Sequence, residues 1–189
     1  NYFDVAPTYG DAEEKLGPAL EPYRKDVFLA CKTQKRDKQG ARKELEQSLE
    51  RLRTDHFDLY QLHAVTTMED VEQIFAEGGA METFIEARNE GKVKYLGFSA
   101  HSVEAAMALM DRFDFDTILF PVSYNTWYAG NLGPQVLQRA KDKNMGILAL
   151  KAMAKGPWPE GAEQNVPKAW YEPFTEPEEA LTGLRFTLS

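Results

Sequence analysis

Short apolar runs alternate with amphipathic stretches along the chain. The apolar runs predict six β-strands, at Tyr2–Ala6, Val27–Cys31, Phe57–Leu62, Val93–Phe98, Thr117–Val122 and Gly146–Leu150. The amphipathic stretches predict a helix after each strand, at Ala12–Leu20, Lys38–Leu52, Ala80–Glu90, Val103–Arg112, Pro134–Asn144 and Glu178–Leu188. In the second helix, Leu45, Leu49 and Leu52 recur at spacings of four and three, which is typical of one buried face.

Local signals support several of these boundaries. Pro22 is expected to stop the first helix, and Gly91 has the residue type that commonly follows a helix C-terminus. Ser102 is a candidate N-cap, and Pro134 stands in a first helical turn, where proline is tolerated. Residues 156–175 are rich in proline and tryptophan and predict a long loop before the last helix.

The alternation of apolar strands and helices indicates a parallel sheet that helices cover on both faces. A doubly wound dinucleotide-binding sheet would be expected to carry the turn G-x-G-x-x-G, which this sequence lacks. A (β/α)8 barrel instead predicts polar functional residues at the C-terminal ends of several strands. Polar residues stand at or just after the predicted strand ends: Asp4, Lys32, His63, Ser99, Ser123 and Lys151. The pattern therefore favours an α/β barrel with these side chains at its mouth.

Four segments carry a resemblance to a known family. They are Phe3–Gly10 (FDVAPTYG), Phe28–Thr33 (FLACKT), Asp58–His63 (DLYQLH) and Gly91–Ser99 (GKVKYLGFS). In order and spacing these segments resemble the aldo-keto reductases, and the resemblance runs along the full chain. It implies a (β/α)8 TIM barrel and an NAD(P)H-dependent oxidoreductase that reduces aldehydes or ketones to alcohols.

The resemblance implies a catalytic group of Asp4, Tyr9, Lys32 and His63. Carbonyl reduction leaves a developing alkoxide that needs a proton, and Tyr9 would be the donor. An ammonium group beside a tyrosine stabilises the phenolate, so Lys32 would help Tyr9 to release its proton, while Asp4 would hold Lys32 in place. His63 would orient the oxygen of a small carbonyl substrate or help to relay the proton.

The resemblance also implies residues that bind the nicotinamide cofactor. Ser99 matches the family's serine that hydrogen-bonds the nicotinamide amide, and Ser123 and Lys151 are expected to join it. The sequence departs from the common pattern nearby, because Ala100 stands where an asparagine is usual and Pro121 where a glutamine is usual. These departures resemble a divergent branch of the family. NADPH is the expected cofactor, with NADH as the alternative.

The predicted strands fall short of the eight that close such a barrel. We expect the family's first strand to precede Asn1, and its last strand to follow Ser189 together with the segment that binds the adenosine 2′-phosphate. Residues 1–189 are therefore interpreted as a single barrel domain that is incomplete at both ends, with the two absent strands beside one gap. A chain of this extent is expected to bind NADPH weakly.

Composition narrows the choice of partners and compartment. Hydrophobic residues make up 43% of the chain. The formal net charge is −8 and the sequence has no basic patch, so a nucleic-acid partner is not expected. The apolar runs are too short to span a membrane. A single cysteine, Cys31, allows no internal disulfide and suits a reducing cytoplasm. His56 and His101 lack metal-ligand spacing, so no metal is expected, and the oligomeric state is left open.

Two other functions are compatible with parts of the pattern. A non-catalytic barrel of the same family could act as a binding or regulatory subunit, which the altered cofactor positions favour and the intact catalytic group opposes. A barrel enzyme of another class, such as an aldolase, would use Lys32 as a Schiff-base nucleophile, but the spacing of Asp4 and Tyr9 argues against it.

Four aromatic residues of the later loops have two interpretations of equal weight. They either line the substrate mouth or pack the loops onto the barrel: Trp127, Tyr128, Trp158 and Trp170.

Overall fold

The structure, a computed structural model, describes residues 1–166, 169 and 171–189. The main sheet in this part of the chain has six strands: β1 (Tyr2–Asp4), β2 (Phe28–Thr33), β3 (Phe57–Val65), β4 (Val93–Ala100), β5 (Thr117–Pro121) and β6 (Gly146–Leu150). Neighbouring strands pair in parallel and in chain order, from β1 through to β6. The six predicted strands and their parallel arrangement are confirmed, although β2, β3 and β4 extend further at their C-terminal ends than predicted and β1 ends earlier, at Asp4.

In the described ranges the chain forms eight α-helices: α1 (Ala12–Leu20), α2 (Lys38–Arg51), α3 (Met68–Phe75), α4 (Ala80–Asn89), α5 (Val103–Arg112), α6 (Tyr124–Tyr128), α7 (Pro134–Asp142) and α8 (Pro177–Leu188). A 3-10 helix at Glu21–Asp26 continues from α1, so the α-helix ends before Pro22 as predicted while helical backbone goes on. No helix in these ranges combines the length and the apolar character needed to cross a lipid bilayer.

Three further elements lie where the sequence pattern does not predict them. Helix α3 lies between β3 and α4, and the short helix α6 follows β5. The third element is an antiparallel pair formed by β7 (Ala154–Gly156) and β8 (Glu172–Pro173), both inside or beside the predicted long loop.

Side chains at the helix starts fix several boundaries. Asp37 caps α2 by accepting a hydrogen bond from the Gly40 amide at 2.7 Å, and Ser102 accepts one from the Ala105 amide at 3.3 Å. These bonds satisfy amide groups that the first turn of a helix leaves without a partner, and they confirm Ser102 as an N-cap. After α4, Gly91 takes a left-handed conformation with φ of +76°, as expected for a glycine that follows a helix.

The main core lies between the sheet and the helices on its outer face. Leu45, Leu49 and Leu52 are buried there, which confirms the predicted buried face of α2. Burial of apolar side chains between a sheet and its covering helices is the main stabilising contribution in such a fold. Packing against the helices therefore holds the sheet in its shape, and the shape of the sheet determines where the strand ends lie.

The two faces of β2 show how the sheet separates this core from the inner surface. Cys31 points toward the helices, where its sulfur lies 3.5 Å from a carboxylate oxygen of Glu13 in α1. Its neighbour Lys32 points to the opposite face and pairs with Asp4 at the end of β1. Because side chains alternate along a strand, one face of the sheet builds the core and the other carries the polar residues of the strand ends.

The curled sheet is open along one seam. Within the described residues, β1 and β6 each pair with one neighbour and not with each other. On the inner face, the rings of Tyr2 and Phe28 stack with centroids 5.3 Å apart, and Phe28 stacks on Tyr95 at 6.3 Å. Tyr2 remains 44% exposed, as expected for a residue on an inner surface that is not enclosed. The arrangement agrees with the predicted incomplete barrel.

Candidate active site

The four predicted catalytic residues lie together at the C-terminal ends of the first three strands. Asp4 ends β1, Lys32 lies near the end of β2, His63 lies in β3, and Tyr9 lies in the loop before α1. The Lys32 ammonium donates a hydrogen bond to Asp4 Oδ1 and lies 5.2 Å from the centre of the Tyr9 ring. The Tyr9 and His63 rings meet edge to face, with centroids 5.7 Å apart. The structure therefore brings all four side chains into one cluster.

Lys32 is a buried charge at the centre of this cluster. Its side chain has no solvent exposure, whereas the side chain of Asp4 is 27% exposed. A buried ammonium group without a counter-charge would cost several kcal/mol, so the Asp4 carboxylate supplies what this position requires. On another side the ammonium faces the ring of Tyr9, which is 45% exposed. The charge is thus fixed between a carboxylate and an aromatic ring that solvent can reach.

A tight turn presents Tyr9 to this charge. The Tyr9 amide donates to the Ala6 carbonyl at 2.9 Å, and the Ala12 amide donates to the Tyr9 carbonyl at 3.2 Å. Gly10 follows with φ of +63°, a left-handed conformation that glycine adopts without steric cost. The backbone of Tyr9 is therefore held on both sides between β1 and α1.

His63 is half-buried and carries a perturbed imidazole. Burial lowers the pKa of His63 to about 4, and the positive charges of Lys32 and Arg36 contribute further to the lowering. Its Nδ1 atom is buried and has no hydrogen-bond partner among the described residues. At pH 7 the ring is therefore neutral, with one nitrogen that donates and one that accepts.

The three residues predicted to bind the cofactor lie at the ends of β4, β5 and β6. The Ser99 hydroxyl oxygen accepts a hydrogen bond from the Ala64 amide at 2.7 Å. The Ser123 hydroxyl caps α6 by accepting one from the Thr126 amide at 3.3 Å. Lys151 follows β6 in a left-handed conformation with φ of +58°, and burial lowers its pKa. Both serines thus have a structural partner, and contact of all three residues with a cofactor stays a prediction.

Two polar residues beside the cluster are absent from the sequence-based prediction. Gln61 is fully buried and stands opposite Lys32 in the pairing of β3 with β2, and neither carboxamide atom has a partner among the described residues. Its signal in the sequence is a glutamine flanked by the apolar residues Tyr60 and Leu62 within a predicted strand. Arg36, in the loop after β2, donates to the His63 carbonyl at 2.9 Å. No pattern in the sequence indicates this contact, because it joins the loop after β2 to a residue of β3 that is 27 positions away in the chain.

The aromatic residues of the later loops make packing contacts. Trp127 lies edge to face against Phe186 of α8 with centroids 5.9 Å apart, and Tyr128 contacts the same ring at 5.9 Å. The indole of Trp158 donates to the Ala169 carbonyl at 2.8 Å. Trp170 lies outside the described residues. These contacts give the three described aromatics a structural role, and a role at the substrate mouth stays a prediction.

Across residues 1–166, 169 and 171–189, no group of three or more histidine, cysteine, aspartate or glutamate side chains is placed to hold a metal ion. The cluster itself presents an ion pair, a phenol and a neutral imidazole.

Comparison with known proteins gives a consistent family likeness. Residues 1–174 match the sequence model of the Aldo/keto reductase family. The aldo-keto reductase YhdN of Bacillus subtilis is 32% identical over 167 residues, which cover 81% of this chain and 48% of YhdN. The structure of the aldo-keto reductase AKR11C1 of Bacillus halodurans has a TM-score of 0.67 at 25% identity, covering 87% of this chain and 58% of that chain.

A third comparison concerns a structure with a bound cofactor. An aldo-keto reductase of Klebsiella pneumoniae in complex with NADPH has a TM-score of 0.66 at 24% identity, covering 81% of this chain and 53% of that chain. At this identity the likeness establishes a common fold. The chain spans about half the length of the relatives that it matches.

Proposed function

The chain belongs to the aldo/keto reductase family, and on that basis we propose that it carries the catalytic cluster of an NAD(P)H-dependent reductase of aldehydes or ketones. The observation that supports the proposal is the convergence of Asp4, Tyr9, Lys32 and His63 at one end of the sheet. Any one of these residues has ordinary structural roles. An exposed phenol beside a buried ammonium and a neutral imidazole is instead the combination that proton donation to a carbonyl oxygen requires.

Tyr9 is the proposed proton donor. As the substrate carbonyl carbon is reduced, its oxygen gains negative charge and takes the proton from the Tyr9 hydroxyl, which leaves a phenolate. The Lys32 ammonium, 5.2 Å from the ring centre, stabilises that negative charge because it is held in a water-free position. Asp4 keeps the ammonium there, so its contribution is made through Lys32.

His63 is the proposed residue that orients the substrate. Its Nδ1 atom is buried, so Nε2 is the nitrogen that can reach a bound carbonyl oxygen. With the pKa lowered to about 4, the ring is neutral at pH 7 and can donate one hydrogen bond without carrying a charge. The neutral imidazole holds the carbonyl oxygen near Tyr9. Because it carries no charge, Lys32 remains the positive group that stabilises the Tyr9 phenolate.

The residues at the ends of the later strands fit a nicotinamide cofactor in their donor chemistry. The Ser99 hydroxyl accepts from the Ala64 amide, so its own hydrogen is left to donate to a carboxamide oxygen. Burial lowers the pKa of His101, and the positive charge of nearby Lys151 lowers it further; the same charge could pair with a phosphate group. Ser123 is the third proposed contact. When bound, the cofactor supplies the hydride.

NADPH is the proposed cofactor, with NADH as the alternative. The Klebsiella pneumoniae neighbour in complex with NADPH supports this choice at the level of the family fold. A cytoplasmic location is also part of the proposal, on the ground that Cys31 is the single cysteine of the chain.

The test is an assay of the full-length protein. We expect it to oxidise NADPH in the presence of small aldehydes such as nitrobenzaldehyde, followed as loss of cofactor absorbance. Cofactor binding is measured separately by fluorescence titration. Binding without turnover across a broad panel of aldehydes would contradict the reductase and support a non-catalytic binding or regulatory role for the same cluster.

A further inference from the structure

The strand that carries His63 is irregular at that residue. Leu62 pairs with Phe98, but the next pair joins Val65 to Ala100, so β3 has one residue more than β4 between them. Such a bulge bends a strand and changes the direction of the side chains in it. Ala64, next to His63, has φ of +53°, a left-handed conformation that is costly for a residue with a Cβ atom. The surroundings must therefore hold this bulge in place.

Two side chains bind the peptide groups of the bulge from different elements. The Arg36 guanidinium donates from Nη2 to the His63 carbonyl at 2.9 Å and to the Ala64 carbonyl at 3.3 Å. The Ser99 hydroxyl of β4 accepts from the Ala64 amide at 2.7 Å. Polar backbone groups that the bulge removes from the sheet thus find partners in side chains, which compensates for the lost pairing.

Arg36 is itself fixed in position. Its Nε donates to Asp70 Oδ1 at 3.0 Å, and the other oxygen of Asp70 accepts from the Thr66 amide at 3.3 Å. The Arg36 side chain is 12% exposed, and its backbone carbonyl accepts from the Ala80 amide at 2.8 Å. The arginine therefore links the start of α4, the start of α3 and the bulge.

We propose that Arg36, fixed by Asp70, is a positioning residue for His63. It holds the bulge that presents the imidazole to Tyr9 and to a bound carbonyl oxygen, and it acts through His63 without contacting substrate. This inference rests on the reductase function proposed above. A guanidinium suits the task because its planar fork can bind two carbonyls and a carboxylate at once, which an ammonium group cannot reproduce.

Arg36 acts on His63 through its positive charge as well as through its hydrogen bonds. The charged and titratable groups that face the imidazole are Lys32 from β2, Arg36 from the following loop, His101 from the end of β4 and Tyr9. Both cations favour the neutral ring. Removal of the Arg36 charge should therefore raise the pKa of His63 from about 4 toward its ordinary value, while a lysine at the same position should largely preserve it.

Two variants separate the hydrogen bonds of Arg36 from its charge. Arg36→Lys keeps the charge and loses the fork, and Arg36→Met loses both. We expect kcat for aldehyde reduction to fall about tenfold in the first variant and roughly 10²-fold in the second, with the Kd for NADPH within about twofold of wild type. Arg139→Met, which removes an exposed partner of Asp111 on the outer helices, is the matched control and should keep the wild-type kcat.

The imidazole titration is followed by NMR, with the His63 signal assigned through His63→Gln. We expect the His63 pKa to rise in Arg36→Met and to change little in Arg36→Lys, a difference that a general loss of stability would not produce. Folded variants with wild-type kcat and an unshifted His63 titration would overturn the proposal. If Arg36→Met does not fold, Arg36→Lys and Asp70→Asn test the proposal in its place. Both variants are expected to lower kcat. A wild-type kcat in both would overturn the proposal.

The same titration separates this proposal from the function on which it rests. If the wild-type protein reduces no aldehyde, the reductase proposal fails, yet the positioning of His63 still predicts the titration shift in Arg36→Met. If the wild-type protein is active and neither kcat nor the titration responds to the Arg36 variants, the function stands and the role of Arg36 is wrong.

Discussion

Two buried charged side chains lie on opposite sides of β2. Lys32 on the inner face has no solvent exposure, and Glu13, which contacts Cys31 on the outer face, is 3% exposed. Each is paired with a partner that reaches solvent: Asp4 is 27% exposed, and Arg51, whose Nη1 lies 3.0 Å from Glu13 Oε2, is 41% exposed. By burial and pairing alone the two sites are equivalent.

The difference lies in what stands next to each pair. The Lys32 ammonium faces the exposed phenol of Tyr9, with His63 beyond it. The Glu13 carboxylate faces the thiol of Cys31, whose pKa is raised by burial and further by the negative charge of Glu13. One site places a phenol where solvent can reach it, and the other keeps a thiol protonated inside the core. A buried ion pair therefore indicates a site only when a reactive and accessible group accompanies it.

The largest expected effect concerns that accessible group. Tyr9→Phe should lower the rate of carbonyl reduction by about 10²–10⁴, because the proposed proton donor is lost while the ring remains to pack. The Kd for NADPH should stay close to the wild-type value. Steady-state kinetics and a fluorescence titration measure the two quantities, and a phenylalanine variant with most of its activity would assign the proton donor elsewhere, with His63 as the next candidate.

Removing the buried charge of each ion pair in turn tests the comparison directly. Lys32→Met should lower kcat at least about 10²-fold, since the phenolate of Tyr9 loses its neighbouring charge. Glu13→Ala should instead leave kcat unchanged and lower the free energy of unfolding by roughly 1–3 kcal/mol, because a buried carboxylate that binds Arg51 is replaced by a cavity. Denaturant unfolding and kinetics on both variants are the measurement. A strong loss of kcat in folded Glu13→Ala would contradict the separation of the two faces.

The pH dependence of stability gives a smaller effect with a defined sign. The pKa of His63 is about 4 in the folded protein and about 6.5 in an unfolded chain, so between these values the unfolded chain binds more protons. The contribution of His63 is fully present above pH ~6.5 and is lost progressively as the pH falls toward 4. Wild type should therefore lose more stability between pH ~7 and ~5 than His63→Gln does. Equal losses in paired denaturant titrations would show that the imidazole is not perturbed.

The smallest expected effect is at Cys31. Its thiol is buried and its pKa is raised, so little reactive thiolate is present at neutral pH. Native protein should not react with a thiol reagent at pH ~8 on the time scale in which the unfolded protein reacts completely. Rapid labelling of folded protein would mean that the outer face of β2 opens far more readily than its packing indicates.

Much of the architecture follows from sequence pattern because the signal is local. Strands such as β2 and β5 are short apolar runs, and α2 repeats leucine at helical spacing, so each element is recognisable without its neighbours. Helix α3 is not, since its eight residues carry two buried side chains, Val71 and Ile74, which are too few for a clear period. The pair formed by β7 and β8 depends on contacts across a long loop, which no local pattern contains.

The candidate site divides in the same way. Asp4, Tyr9, Lys32 and His63 could be identified because they occupy strand ends and the following loops within recognisable motifs. The bulge at His63 could not, since Ala64 adopts a left-handed conformation without the glycine that would announce it. The contact of Arg36 with the His63 carbonyl is likewise a product of tertiary packing.

The open seam between β1 and β6 has a consequence for amide hydrogen exchange. In a parallel sheet, half of the amides of an edge strand point away from the neighbouring strand and lack its protection. Among the strands of this sheet, exchange should therefore be slowest in β2, β3, β4 and β5, which are paired on both sides, and fastest at Tyr2–Asp4 and Gly146–Leu150. Protection at those two edges reports directly whether further strands close the barrel. A solution measurement of deuterium uptake would thus report the closure of the sheet residue by residue.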